Sequence, residues 1–131
     1  IDNLQLSHKW CDDRHRVLLC RRKDHDLWNL PGGALKNGEA PWDGARREVK
    51  EETGLNVEIK RIIGIYFKPK ENDLVFTFLC DVKGGEIQVN DEAAAIEYFD
   101  LDSLPLNIIR KHIERIKDAL NAGGEIVQKI Q

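Results

Sequence analysis

Residues 30–55 leave this chain very little local freedom. Pro31, Gly32, Gly33, Gly38 and Pro41 crowd one short stretch, which must run as a loop. Residues 42–53 then read as a helix that stops at Gly54, the residue type best suited to the turn that closes a helix. On that helix Glu48, Glu51 and Glu52 stand three and four residues apart and share one face within about 100° of arc. Trp42, Ala45 and Val49 form an apolar stripe beside them, so the carboxylates lie next to the packed side. They also lie toward the C-terminal end, where the helix dipole disfavours anions.

Like charges placed this way repel, and something must offset the repulsion. A solvated acidic face tied by surface pairs, such as Arg47 with Glu51, is one solution. A hard divalent cation, Mg²⁺ or Mn²⁺, held by carboxylate oxygens and water is the other. The loop favours the second. Gly32 and Gly33 allow backbone shapes and close ligand approach that other residues resist, and Glu39 follows Gly38 at the loop's end. A glycine loop feeding a short helix with clustered carboxylates is the layout expected of a metal–diphosphate site.

The remaining pattern mixes strands and helices, so helices are expected to cover a mixed sheet. Residues 4–11 are a candidate first strand, and Arg16–Arg21 a clearer one, a short apolar run bounded by charges. Val57–Phe67 reads as strand, whole or split by a bulge at Gly64, and Leu74–Val82 as the strongest strand. Gly84-Gly85 predicts a turn. Residues 95–101 give a short strand. Asn107–Leu120 gives a last helix, with Ile109, Ile113, Ile116 and Leu120 at helical spacing. Residues 123–131 give no definite reading. The 131 residues fit one domain, residues 1–131, with a core of its own.

A net charge of -3 argues against a general nucleic-acid or anionic-membrane surface. No apolar run approaches the ~20 residues that span a bilayer. No signal-peptide pattern opens the chain, so a cytoplasmic location is expected. The sequence contains no Met, and the expected start lies upstream of Ile1. Cys11, Cys20 and Cys80 lack metal-ligand spacing and read as small buried hydrophobes in a reducing compartment. His8, His15, His25 and His112 show no ligand spacing either.

Gly33, Glu39, Arg47-Glu48-Val49, Glu51-Glu52 and Gly54-Leu55 fill every fixed position of one known pattern at its spacing. The segment resembles the Nudix box, and Leu30-Pro31-Gly32 looks like the family's usual lead-in. The resemblance implies an α/β fold, an α/β/α sandwich around a mixed β-sheet. It implies Mg²⁺ or Mn²⁺ bound mainly through Glu48, Glu51 and Glu52, one of which can also prepare the attacking water. It further implies that Arg47 anchors a carboxylate and orients the helix, that Gly33 shapes the loop, and that Glu39 supports it.

Outside the box, Glu97 resembles a position from which some family members draw an extra ligand or base. Glu92 competes for that role, and either is equally readable as surface. Arg22, beside Arg21, is a candidate phosphate contact or a surface pair. Trp28 and Phe67 are candidates for stacking on a base or for core packing. Pro69 lies fifteen residues after Gly54, about where family members acting on ADP-ribose often carry a proline; it is equally an ordinary strand-ending residue. The expected activity is hydrolysis of the diphosphate linkage in an ADP-ribose-like nucleoside diphosphate. A MutT-like nucleoside-triphosphate pyrophosphohydrolase is the alternative. A non-catalytic nucleotide- or RNA-binding module stands third, because a binder has no need of three crowded glutamates. A nucleotide is the expected small-molecule partner, and a homodimer is compatible with the sequence.

Overall fold

The computed structural model describes residues 3–8, 16–91, 93–121 and 125–131, with the backbone alone for residues 3–8 and 121. The elements run β1 (Asn3–His8), β2 (Arg16–Arg22), β3 (Trp28–Asn29), α1 (Pro41–Thr53), β4 (Leu55–Lys68), β5 (Asp73–Gly85), β6 (Ala93–Asp100), a 3₁₀ turn (Leu101–Ser103), α2 (Arg110–Asn121) and β7 (Val127–Ile130). One mixed sheet has the order β1-β5-β4-β7, with β1–β5 and β4–β7 parallel and β4–β5 antiparallel. A second, antiparallel sheet has the order β3-β2-β6.

Strand alternation sends the side chains of β2 to opposite faces. Leu18 and Cys20 join Ala45 and Val49 of α1, and Val57, Phe78 and Cys80 of the mixed sheet, in one apolar cluster. Val17 and Leu19 join Trp28, Leu30, Ile108 and Ile116 in a second cluster, against α2. The helices therefore cover opposite sides of the β layer, giving the α/β/α arrangement. Among the described residues, no helix is long and apolar enough to cross a membrane.

Helix α1 starts with Pro41 at its first position, where the missing N–H breaks no helical bond. It ends at Gly54, whose φ of 83° only glycine adopts cheaply and whose N–H reaches Lys50 O.

Val57–Phe67 is strand as expected, within the longer β4, with ladder irregularities between Asn56 and Val57, between Ile59 and Arg61, and between Ile62 and Gly64. Other expectations are corrected. Gly84-Gly85 is no turn: it ends β5 and pairs with Asn56 and Leu55. The β4–β5 turn instead runs from Pro69 to Asn72, whose φ is 49° and whose N–H donates to Pro69 O. The last helix starts at Arg110, because Asn107 O and Ile109 N–H are engaged by Trp28 in an extended bridge. Its buried face is His112, Arg115 and Ile116, whereas Leu120 is 41% exposed. Trp42, expected in the packed stripe, is 53% exposed. In the tail, Val127–Ile130 form β7, and Gln131 just beyond it accepts from Arg115 Nε at 3.0 Å. Cys11, His15 and Glu92 lie outside the described residues.

Candidate active site

Beside α1 lies a cleft of 560 Å³ lined by Glu48, Glu51 and Glu52, the loop residues Leu30, Gly32 and Gly33, Cys20 and Arg22 of β2, and Asp91 and Ala93 beyond β5. The glycine loop and the carboxylate face meet directly. Gly32 N–H donates to Glu52 Oε2 at 3.1 Å. A Cβ on Gly33 would stand 2.5 Å from Glu48 Oε2. Gly33 therefore lacks a side chain because the Glu48 carboxylate occupies the space, and its φ lies outside the left-handed region.

Arg47 ties the loop to the helix. Its Nε and Nη2 donate to the two Glu39 oxygens at 2.7 and 2.8 Å, a bidentate pair, and Nη2 also donates to Ala34 O. Its Nη1 donates to Glu48 Oε1 at 2.8 Å and to Glu51 Oε2 at 3.1 Å. Glu39 also accepts the Lys36 N–H. Arg47, then that backbone donor, hold the Glu39 carboxyl down at about 2, so it stays ionised through the working pH range. The same carboxylates push the Arg47 guanidinium above its usual value.

The end of α1 is secured from the β5–β6 connection. Asn90 Nδ2 donates to Glu51 O at 3.3 Å and Glu52 O at 2.6 Å, while Gln88 N–H donates to Thr53 O. These donors satisfy helix-end carbonyls under the acidic turn. They also bring Asp91 into the cleft, a carboxylate that the sequence reading did not single out.

Repulsion among the box glutamates is thus offset partly by Arg47 and partly by backbone N–H groups. Among the described residues no three His, Cys, Asp or Glu side chains form a ready-made metal cage. The donor set still fits Mg²⁺ or Mn²⁺. Its oxygens are hard, they line an open cleft, and Mg²⁺ usually takes one or two carboxylates with water and phosphate completing its shell. Cys20 contributes no thiolate, since burial and then the Glu52 charge push its thiol well above the usual range.

The other sequence candidates divide. Arg22 lines the cleft, with Nε and Nη2 on Asp24 at 3.0 and 2.6 Å. Glu97 is not brought there: it pairs with Leu19 and shares the face of Ala95 and Phe99, which packs toward α2. Trp28 is buried, edge-on to Phe99 with ring centres 4.8 Å apart. Phe67 is exposed in β4 opposite Leu74, and neither it nor Pro69 lines the cleft.

An α/β/α sandwich whose glycine loop meets a carboxylate-bearing helix in a polar cleft defines a class of hydrolase that acts on phosphate anhydrides. A model of the NUDIX domain matches residues 10–120, and the chain belongs to the Nudix hydrolase family. It is 36% identical over 111 residues to an ADP-ribose pyrophosphatase of Methanocaldococcus jannaschii, covering 79% of this chain and 65% of that protein. It is 33% identical over 116 residues to a Bacillus subtilis protein provisionally named an 8-oxo-dGTP diphosphatase, covering 88% and 78%. Its fold matches the crystal structure of an ADP-ribose pyrophosphatase from Streptococcus suis with a TM-score of 0.78 and 29% identity, covering 98% and 97% of the two chains. The protein is an enzyme that hydrolyses diphosphate linkages.

Proposed function

We propose that this single domain, residues 1–131, hydrolyses the diphosphate of an ADP-ribose-like molecule with Mg²⁺ or Mn²⁺. The observation that carries this is the charge of the cleft. Among the described residues that line it, the carboxylates Glu48, Glu51, Glu52, Asp24 and Asp91 stand with the cations Arg22 and Lys23, and Arg47 reaches Glu48 and Glu51 from the loop side. A doubly charged diphosphate enters such a cleft only with divalent cations to mask it. Glu48, Glu51 and Glu52 are the residues that would hold the ion, with Asp91 beside them. Bound metal supplies phosphate polarisation, leaving-group stabilisation and a lower pKa for the attacking water.

The chain's own groups do the rest. A box carboxylate takes the proton from water as it attacks phosphorus. Arg47 holds Glu48 and Glu51 in place, and Gly32 N–H holds Glu52. Arg22, already fixed on Asp24, stands ready for a phosphate oxygen. The choice of a linked diphosphate rests on the likeness to the two ADP-ribose pyrophosphatases. The Bacillus subtilis relative favours the second reading, a nucleoside triphosphate cleaved to a monophosphate and pyrophosphate. The buried thiols Cys20 and Cys80 suit the cytoplasm, where they stay reduced.

Chelator-treated enzyme is expected to be inactive and to recover with Mg²⁺ or Mn²⁺; full turnover without metal would sink the mechanism. A substrate panel separates the two readings by product. ADP-ribose and water should give AMP and ribose 5-phosphate. If kcat/KM for a nucleoside triphosphate exceeds that for every linked diphosphate tested, the MutT-like reading replaces this one.

A further inference from the structure

The loop Leu30–Ala34 is held from two sides. On the α1 side, Glu52 accepts the Gly32 N–H and Arg47 donates to Ala34 O. On the α2 side, the buried Leu30 N–H donates to His112 Nδ1 at 2.9 Å, across 82 residues of sequence. Leu30 and His112 are 2% and 7% exposed, so water has little access to replace either partner. A single residue, Pro31, separates Leu30 from Gly32, and it is buried with φ fixed by its ring. The backbone segment joining the two bonds is therefore short and stiff. Displacement of the Leu30 amide is transmitted to the Gly32 amide, and so to Glu52.

We propose that His112 is a positioning residue for hydrolysis: by accepting the Leu30 amide it fixes the glycine loop on α2 and so sets where Gly32 N–H meets the Glu52 carboxylate. This rests on the reading of Glu52 as part of the metal-carboxylate machinery. The role requires a neutral imidazole with an unprotonated Nδ1. Burial, then the positive charges of Arg115 and Lys68, hold the His112 pKa down at about 3. The acceptor nitrogen thus keeps its lone pair through the neutral range. His112 touches no substrate in this scheme and moves no proton.

The role makes a demand that simple core filling does not: an acceptor at the Nδ1 position, whatever the rest of the side chain. Asn places its carbonyl oxygen near that position, Gln places its own about one bond further out, and Leu offers no acceptor. The experiment compares His112→Asn, His112→Gln and His112→Leu for kcat, KM, Mn²⁺ affinity and melting temperature, with Glu52→Gln alongside. Direct hydrogen-bond partners of metal ligands are worth about 10- to 100-fold in metal affinity or activity, and His112 acts through the loop on such a partner, the Gly32 N–H. His112→Leu and His112→Gln are expected to lose kcat or Mn²⁺ affinity within that range, with a smaller change in KM, in protein that is still folded at the assay temperature. His112→Asn should stay within about threefold of wild type. If His112→Leu does not fold, the Asn and Gln pair carries the same contrast. Equal activity of Asn and Gln, or melting temperature falling with kcat and Mn²⁺ affinity unchanged, overturns the proposal. If Glu52→Gln also leaves turnover unchanged, the reading of Glu52 fails with it; if Glu52→Gln alone loses turnover, only the role of His112 fails.

Discussion

Glu52→Gln should leave the protein folded and lower kcat about 10²- to 10⁴-fold, the range spanned by positioned acid–base groups. The substitution is nearly isosteric, and the Gln carbonyl can still accept the Gly32 N–H that Glu52 accepts at 3.1 Å. It removes a negative charge from the C-terminal turn of α1, beside Glu48 and Glu51. Relief of that crowding, and of the unfavourable interaction with the helix dipole, is worth a few tenths of a kcal/mol in favour of the metal-free fold. Stability and activity therefore move in opposite directions, which separates a chemical role from a structural one. The loss should fall on kcat more than on KM, because the carboxylate is needed most as charge develops in the transition state. Thermal melting of the metal-free proteins and single-turnover kinetics at saturating Mg²⁺ make the comparison. Activity within about threefold of wild type, with chemistry limiting the rate, would remove Glu52 from the machinery.

The machinery was legible wherever its determinants lie close in sequence. The 3.6-residue period places Glu48, Glu51 and Glu52 together, and Gly54 marks the end of α1, because both depend on neighbours within one or two turns. The cores of β2 and β5 were legible for the same reason. Contacts between distant segments were not. Gly84-Gly85 has turn chemistry, and Gly85 has the φ of 83° that glycine permits. What uses it is the close passage of α1's end: a Cβ on Gly85 would stand 2.4 Å from Gly54 O, and one on Gly54 would stand 2.2 Å from Glu86 O. No local pattern announces that two chain segments will touch there. Asn90 and Asp91 escaped notice likewise, since Asn90 reaches Glu52 O across 38 residues of sequence.

Glu97 is the opposite case: it does not line the cleft. Its position in the chain matched an expected role, but strand alternation places it with Ala95 and Phe99, on the face turned to α2. Parity along β6 decides this, and parity depends on where the strand starts, which sequence leaves loose by a residue or two. On α2, Ile116 is buried and Ile113 packs beside it as their period implies, but Leu120, which completes that period, is exposed, and the buried face is shared with His112 and Arg115. His112 and Arg115 take that face because their polar atoms have partners, in the Leu30 amide and in Gln131.

Gly33→Val should cost about 10²-fold in kcat/KM, the penalty expected when a reacting group is displaced by roughly 1 Å. The reason is steric and local. A Cβ at residue 33 would lie 2.5, 2.6 and 2.8 Å from Glu48 Oε2, Cδ and Oε1, all far inside contact distance. The obstructing group is the end of a side chain, so it can rotate away, but Arg47 holds Glu48 Oε1 at 2.8 Å and Glu51 by the same nitrogen. Moving Glu48 therefore disturbs the group that also binds Glu39 and Ala34 O. Gly38 supplies the control. Its φ of 76° makes any side chain strained, yet a Cβ there would meet nothing within 4 Å. Gly38→Ala should lower stability by about 1–2 kcal/mol, the usual penalty for left-handed backbone, and leave kcat/KM and Mn²⁺ affinity close to wild type. The two glycines thus predict opposite signatures. At residue 38 the melting temperature falls and the site survives; at residue 33 metal affinity and turnover fall while much of the fold survives. Measuring Mn²⁺ affinity and melting temperature on both variants tests the difference. If Gly33→Val binds Mn²⁺ and turns over normally, the space it fills is not reserved for the Glu48 carboxylate, and the loop has no part in shaping the site.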